Sequence, residues 1–156
     1  MGRIHMEILK AMNLQKNYGI KENTTYALKG VSLSLQQGEF VAVVGTSGSG
    51  KSTLLNLIGG LDNPSQGEVW IRNKNITKMN KEELTIFRRR NIGYVFQNYN
   101  LVSILSVYEN IVLPVELDGE IVDKEYLNEL IQILGIQDKL DSMPRIYQVV
   151  NSNELQ

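Results

Sequence analysis

The sequence predicts an α/β fold, in which a parallel sheet with helices follows an antiparallel β portion. Residues 6–44 are rich in strand patterns, whereas strand and helix patterns alternate after residue 40. A glycine-rich turn at 45–50 connects an apolar run to the start of a helix. With 156 residues, 42% of them hydrophobic, the chain is long enough to bury one core as a single domain.

The first half of the chain predicts its elements in order. Apolar and polar residues alternate at 31–35 (VSLSL), which indicates a half-buried strand. A turn at 36–39 (QQGE) leads to the continuously apolar run 40–44 (FVAVV), which predicts a buried strand. A helix is predicted from 51 to 58, where the glycine pair 59–60 ends it.

Two further strands are predicted downstream. The turn at 63–67 (NPSQG) leads into the strand 68–72 (EVWIR). Residues 92–97 (IGYVFQ) form an apolar strand that ends in a polar residue. Because strands and helices alternate here, we expect the strands of this region to be parallel.

Two further helices are predicted from their end signals. Asn80 followed by Glu83 resembles a capping box, and the helix it starts extends to about Arg90. Asp123 caps the last helix, which Gly135 ends. The apolar residues of that helix recur at helical spacing and predict one buried face.

Composition excludes several classes of protein. A net charge of −1 and a pI near 5.9 give no electrostatic reason to expect nucleic acid as a partner. The absence of cysteine excludes a disulfide framework and fits a reducing cytoplasm. No apolar run approaches the ~20 residues of a membrane helix, so we expect any membrane part to come from another chain. Residues 1–5, with the only histidine, are interpreted as a possible cloning remnant without function.

The glycine-rich turn has the chemistry of a phosphate-binding loop. Glycines let backbone N–H groups close around an anion, and the helix N-terminus adds partial positive charge. Lys51 can contact the outer phosphates, and the Ser52 hydroxyl can ligate Mg²⁺. The pattern therefore predicts binding of a nucleoside triphosphate rather than an ordinary glycine-rich turn. The predicted binding residues here are Gly45, Ser47, Gly48, Ser49, Gly50, Lys51, Ser52 and Thr53.

Several segments together resemble the ATP-binding subunits of ABC transporters. Residues 45–53 (GTSGSGKST) match that family's Walker A motif, and 61–68 (LDNPSQGE) match the segment that follows it. Residues 94–97 (YVFQ) resemble its Q-loop, and 105–111 (LSVYENI) resemble the segment that faces the membrane subunit. The resemblance covers residues 6–144 and is closest to the branch that exports antimicrobial peptides and macrolides or releases lipoproteins.

The resemblance implies a P-loop NTPase (RecA-like) core with ATP and Mg²⁺ as cofactors. It implies that Tyr18 stacks on the adenine and that Gln97 approaches Mg²⁺ and the γ-phosphate, so that Ser52 and Gln97 are the metal-binding residues. The alternative is that Tyr18 is a half-buried strand residue and Gln97 an ordinary strand-end polar residue. The same resemblance implies a transmembrane permease subunit as partner and a cytoplasmic site at the inner face of the membrane. Tyr108 and Glu109 are either helix-start residues only or contacts of that partner.

The sequence departs from the family after the Q-loop. The family hydrolyses ATP with a Leu-Ser-Gly-Gly-Gln signature loop, an apolar strand ending in Asp-Glu and a histidine beyond it. The 156 residues contain none of these, and neither 116–118 (ELD) nor Asp138 fits as a substitute carboxylate. The core is therefore expected to be incomplete and hydrolysis-incompetent. Unpaired strand edges are expected to cause self-association.

The last twelve residues form the remaining departure. In family members the signature loop usually follows the Met-Pro pair, here at 143–144, within two residues, whereas 145–156 (RIYQVVNSNELQ) do not resemble it. With suitable synonymous codons, an alternate reading frame of 145–156 encodes Asn-Leu-Ser-Gly-Gly-Gln-Gln-Gln-Arg-Val-Ala. We hypothesise a frameshift after Pro144, which makes 145–156 an out-of-frame tail; the alternative is a coincidental or deliberately added tail.

Two other functions compete with that of an ATP-binding subunit. The chain could be a non-catalytic interaction module that docks on a transporter, which nucleotide-independent co-purification with a membrane partner would favour. An unrelated P-loop enzyme, such as a small-molecule kinase or GTPase, is disfavoured because no Asn-Lys-x-Asp element or kinase lid is found.

Overall fold

The computed structural model describes residues 6–19, 23–96 and 99–144. They divide into two compact units, one before and one after the Tyr94–Val95 bond. The first unit contains four strands and two helices: β1 (Glu7–Tyr18), β2 (Thr25–Gln36), α1 (Lys51–Ile58), β3 (Gln66–Ile71), β4 (Lys74–Asn75) and α2 (Lys81–Asn91). The second unit contains α3 (Val107–Leu117) and α4 (Lys124–Leu134). Short 3₁₀ turns lie at Ile76–Lys78 and Gln137–Lys139.

The four strands form one antiparallel sheet in the order β2-β1-β3-β4. In the middle of the sheet Ala11 of β1 pairs with Leu33 of β2 on one side and with Val69 of β3 on the other. Gly67 lets β3 approach β1 closely, because a Cβ atom there would lie 2.5 Å from the Met12 carbonyl oxygen. The predicted antiparallel β portion is confirmed.

The core of the first unit lies between this sheet and its two helices. Helix α1 contributes two buried leucines, α2 contributes a buried phenylalanine, and the central strands contribute aliphatic side chains. Alternation along the strands and helical spacing along α1 direct these side chains to one side. The buried set is Ala11, Leu14, Leu28, Leu54, Leu57, Val69, Ile71, Ile76 and Phe87.

Two predicted strands are not formed among the described residues. Residues 40–44 and 92–96 are not paired with any strand, and the Phe40 side chain is 97% exposed. An apolar run indicates that a segment is suited to a buried strand, but a strand exists only where a neighbouring segment hydrogen-bonds to it. No parallel strand pair is present in the described part of the chain, so the prediction of a parallel sheet was wrong for these residues.

The helices of the first unit agree with their end signals. Helix α1 spans the predicted residues and ends before the glycine pair. The predicted capping box of α2 is present, because the Asn80 side chain accepts from the Glu83 N–H at 3.0 Å and the Glu83 side chain accepts from the Asn80 N–H at 3.0 Å. Three arginines in its last turn oppose the negative end of the helix dipole.

The second unit is helical. Helix α4 begins at Asp123, whose side chain accepts from two backbone N–H groups, and ends at Gly135 with a left-handed φ of 63°. Helix α3 begins with a second capping box, formed by Ser106 and Glu109, which the sequence analysis did not identify as such. Its position confirms that Glu109 is a helix-start residue. Val112, Leu127 and Ile131 form the buried core of the unit.

Candidate functional site

The glycine-rich loop turns sharply into helix α1. The Ser49 N–H donates to the Thr46 carbonyl at 3.3 Å and closes the turn. Gly50 caps the helix with a left-handed φ of 89°, and the Leu54 N–H donates to its carbonyl at 2.8 Å. A Cβ atom on Gly50 would lie 2.5 Å from the Ala27 carbonyl oxygen of β2. Glycine is therefore required here by both backbone conformation and packing.

The Lys51 ammonium group lies within the mouth of this loop. Its Nζ donates to the Gly45 carbonyl at 2.9 Å, to the Thr46 carbonyl at 2.7 Å and to Ser49 Oγ at 3.3 Å. These three oxygens hold the positive charge at the N-terminal end of α1, where the helix dipole is also positive. Anionic oxygen atoms can replace these contacts, so the loop and Lys51 fit a phosphate chain.

The first turn of α1 completes the donor set. No acidic residue lies in this turn, so the field of the helix N-terminus is not neutralised. The exposed Ser52 hydroxyl lies beside Lys51 and fits Mg²⁺, a hard cation that prefers oxygen ligands. Residues 6–19, 23–96 and 99–144 hold no cluster of three or more acidic or histidine side chains for a metal. One hydroxyl fits a Mg²⁺ that is held mainly by phosphate oxygens and water. The other predicted metal-binding residue, Gln97, lies outside the described residues.

Tyr18 lies at the end of β1, near the part of β2 that contacts the glycine-rich loop. It pairs with Thr25 at the start of β2, and Ala27, two residues further along β2, packs against Gly50. The Tyr18 side chain is 42% exposed. The structure therefore brings Tyr18 and the glycine-rich loop to one region of the first unit, and the stacking role of Tyr18 stays a prediction.

Two further residues, which the sequence patterns did not predict as site residues, contact Tyr18. The Tyr18 hydroxyl donates to Asp62 Oδ2 at 2.9 Å, and Lys16 Nζ donates to Asp62 Oδ1 at 2.6 Å. Lys16 Nζ also lies 5.0 Å from the centroid of the Tyr18 ring. The signal that could have found Lys16 is its i, i+2 spacing from Tyr18, which places both side chains on one face of a strand.

Asp62 is held as a carboxylate. Partial burial raises its pKa, but hydrogen bonds from Lys16, Tyr18 and the Asn63 N–H, together with the charge of Lys16, outweigh this effect. The pKa of Asp62 therefore lies below its ordinary value. The carboxylate is consequently a strong acceptor for the Tyr18 hydroxyl near neutral pH.

A protein-family model described as "ABC transporter" matches residues 28–151, which include the loop, α1 and the segment containing Asp62. The chain belongs to the ABC transporter family. The match extends past Pro144, and residues 145–156 lie outside the described residues. The frameshift interpretation of that tail stays a prediction.

Several curated relatives of this ABC-family chain are named as ATP-binding proteins of export or release systems. It is 39% identical over 142 residues to the bacitracin export ATP-binding protein BceA of Halalkalibacterium halodurans, covering 89% of this chain and 56% of BceA. It is 39% identical over 140 residues to the lipoprotein-releasing system ATP-binding protein LolD of Psychrobacter arcticus, covering 88% of this chain and 62% of LolD. It is 46% identical over 134 residues to the macrolide export ATP-binding/permease protein MacB of Campylobacter jejuni, covering 85% of this chain and 20% of MacB. The chain thus spans about three fifths or less of each relative.

A solved structure agrees with the fold. The ATP-binding cassette MJ0796, described as a dimer in a post-hydrolysis state bound to ADP and Pi, superposes with a TM-score of 0.79 at 39% identity. The match covers 88% of this chain and 62% of that one. The predicted fold class is thereby confirmed as α/β, a partial P-loop NTPase core with an antiparallel N-terminal sheet. None of the helices in the described ranges is long and apolar enough to cross a bilayer.

Proposed function

We propose that this chain is the ATP-binding subunit of an ABC transporter, or a part of one, and that it binds Mg-ATP at the loop before α1. The observation that carries the proposal is the position of Lys51, whose ammonium is held by loop oxygens at the positive end of a helix. The similar proteins BceA, MacB and LolD are named as ATP-binding, and MJ0796 is described as an ATP-binding cassette, which supports the proposal.

The loop residues divide the binding task between them. Backbone N–H groups from Gly45 to Thr53 surround the phosphates, and Lys51 neutralises their charge. The hydroxyl of Ser52 would hold Mg²⁺, which would offset the negative charge of the phosphates. Tyr18 supplies an aromatic face for the adenine, and the resemblance to the family assigns Gln97 as the second residue that would hold Mg²⁺.

The substrate branch is proposed from the names of the relatives. BceA, MacB and LolD are named for bacitracin export, macrolide export and lipoprotein release. We place this chain in the same branch, with a transmembrane permease subunit as partner at the inner face of the membrane. The name of MacB supports this partner because it joins an ATP-binding part to a permease.

The 156 residues by themselves are proposed to bind ATP without hydrolysing it. Phosphoryl transfer depends on groups that position the attacking water and stabilise the developing charge. The sequence contains no Leu-Ser-Gly-Gly-Gln loop and no Asp-Glu pair at the end of an apolar strand. Steady-state phosphate release indistinguishable from buffer would agree with this proposal, and turnover that Lys51→Ala abolishes would contradict it.

Calorimetric titration of the full chain with Mg-ATP tests the proposed function. Wild type should bind saturably, and Lys51→Ala should weaken binding by at least about tenfold because it removes the charge that faces the phosphates. Lys78→Ala is the matched control, since Lys78 makes an exposed ion pair with Glu68 away from the loop. Equal affinities for wild type and Lys51→Ala, or no binding by wild type, would overturn the proposal.

A further inference from the structure

We propose that Asp62 is a positioning residue for the nucleotide base, because its carboxylate fixes the Tyr18 ring with one face open for stacking. The inference rests on the proposed function, in which Tyr18 stacks on the adenine. It adds a residue, beyond the phosphate loop, that determines how well the site distinguishes a nucleotide from a bare phosphate chain.

The two oxygens of Asp62 have different partners. Oδ2 accepts from the Tyr18 hydroxyl at 2.9 Å. Oδ1 accepts from Lys16 Nζ at 2.6 Å and from the Asn63 N–H at 2.7 Å. Donors on Oδ1 hold the carboxylate in one orientation, so Oδ2 presents a fixed, charged acceptor to the tyrosine. The Tyr18 ring is therefore held both at its backbone end and at its hydroxyl.

Lys16 covers one face of the Tyr18 ring. Its Nζ lies over the ring, 5.0 Å from the centroid, and is held there by Asp62 and by the Asn63 carbonyl at 2.7 Å. The base therefore stacks on the opposite face. Stacking on a ring that is already ordered loses less conformational entropy than stacking on a free one. The Tyr18–Asp62 hydrogen bond therefore strengthens binding of the base.

Asp62 is connected to the glycine-rich loop through helix α1. The N–H groups of Leu61 and Asp62 donate to the Asn56 carbonyl of α1 at 2.8 and 3.3 Å. The N-terminal end of the same helix bears Lys51. On the strand side, the Ser65 N–H donates to the Gln15 carbonyl at 2.8 Å, which joins the end of β1 to the segment after α1. Asp62, which holds Tyr18, and Lys51 are thus both connected to helix α1.

The experiment compares two ligands, Mg-ATP and inorganic tripolyphosphate with Mg²⁺, by calorimetry on the full chain. The variants are Asp62→Asn, Tyr18→Phe and the double variant. Glu68→Gln is the matched control, because Glu68 also bridges a lysine and an aromatic donor, accepting from Lys78 at 2.8 Å and from Trp70 Nε1 at 3.0 Å.

Asp62→Asn should raise the Kd for ATP by about three- to tenfold, as expected for loss of a charged hydrogen bond, and leave the tripolyphosphate Kd unchanged. Tyr18→Phe, which removes only the hydroxyl, should have a similar effect. The double variant should lose less than the sum of the two single losses, because both substitutions act on the same Tyr18–Asp62 contact. Glu68→Gln should bind both ligands as wild type does.

Four results would overturn the inference. Unchanged ATP affinity in both single variants would show that the contact does not position the base. Equal losses for both ligands would show that Asp62 only maintains the fold. Equal wild-type affinities for ATP and tripolyphosphate would show that the base adds nothing to binding, whereas the proposed phosphate site would still be supported. Binding of neither ligand by wild type would overturn the proposed function as well.

Discussion

At the scale of single residues, the site depends on contacts that fix one charge and one ring. Lys51 is held by oxygens of its own loop, and Tyr18 is held by Asp62. Gly50 makes the loop possible because only glycine tolerates both the left-handed φ at this position and the close approach of the Ala27 carbonyl oxygen. Substitutions at these residues should therefore affect mainly their own contacts. Comparing each one with a variant of a similar residue nearby separates the loss of that contact from a general loss of stability.

Gly50→Ala should destabilise the chain more than Gly48→Ala. Both glycines have left-handed φ values, 89° and 75°, so both substitutions strain the backbone by about 1 kcal/mol. A Cβ on Gly50 also meets the Ala27 carbonyl oxygen at 2.5 Å, whereas a Cβ on Gly48 meets nothing within 4 Å. Urea denaturation of both variants measures the difference. Equal midpoints would show that β2 does not restrict the start of α1.

The stability conferred by Asp62 should depend on pH in the acidic range. Its pKa is lower in the folded chain than the ordinary value of 3.8, so its contribution is complete above that value. The contribution is lost as the pH falls through the lower, folded pKa. The difference in unfolding free energy between wild type and Asp62→Asn should therefore be smaller below pH 3.8 than at pH 5, as measured by urea denaturation. A constant difference would contradict the depressed pKa.

At the scale of elements, the helix ends are determined locally. Side chains within three residues of each start supply the caps of α2, α3 and α4, so these helices begin where their sequences specify. The strands behave differently. β1 pairs with both β2 and β3, and Gln15 of β1 pairs with Gln66, far along the chain. Strand formation therefore depends on partners that are distant in sequence.

Asn80→Ala should destabilise the first unit by about 1 kcal/mol, because it removes the side chain that accepts from the Glu83 N–H. Hydrogen exchange of the α2 amides, together with urea denaturation, measures the loss. Lys81→Ala is the control, since Lys81 is an exposed first-turn residue that the structure does not assign to the cap. Equal exchange in both variants would show that the capping box contributes nothing measurable.

At the scale of the whole molecule, the apolar segment before the loop is exposed. Phe40 is 97% and Val44 86% exposed, and none of the described strands pairs with residues 40–44. An unpaired apolar segment with strand propensity can pair with another chain. Self-association through residues 40–44 is therefore a prediction for this chain.

Phe40→Lys combined with Val44→Lys should shift the chain toward the monomer, because two charges oppose pairing of this segment with another copy. Light scattering coupled to size exclusion measures the mass. Ile121→Lys is the matched control, since Ile121 is 95% exposed but lies in the second unit. A monomeric wild type would contradict self-association, and an unchanged oligomer would place the contact elsewhere.

The sequence by itself determined the features that are encoded locally. It specified α1 with its glycine stop, the capping box of α2, the ends of α4 and the glycine-rich turn before α1, because caps, turns and glycine conformations depend on residues only a few positions apart. Only the tertiary structure decided which apolar runs became strands, since hydrogen bonding between strands requires a partner from elsewhere in the chain. The runs at 40–44 and 92–96 are as apolar as β3, yet only β3 is paired. The Tyr18–Asp62 contact was likewise invisible in the sequence, because it joins residues 44 positions apart that only the packing of β1 beside the segment after α1 brings together.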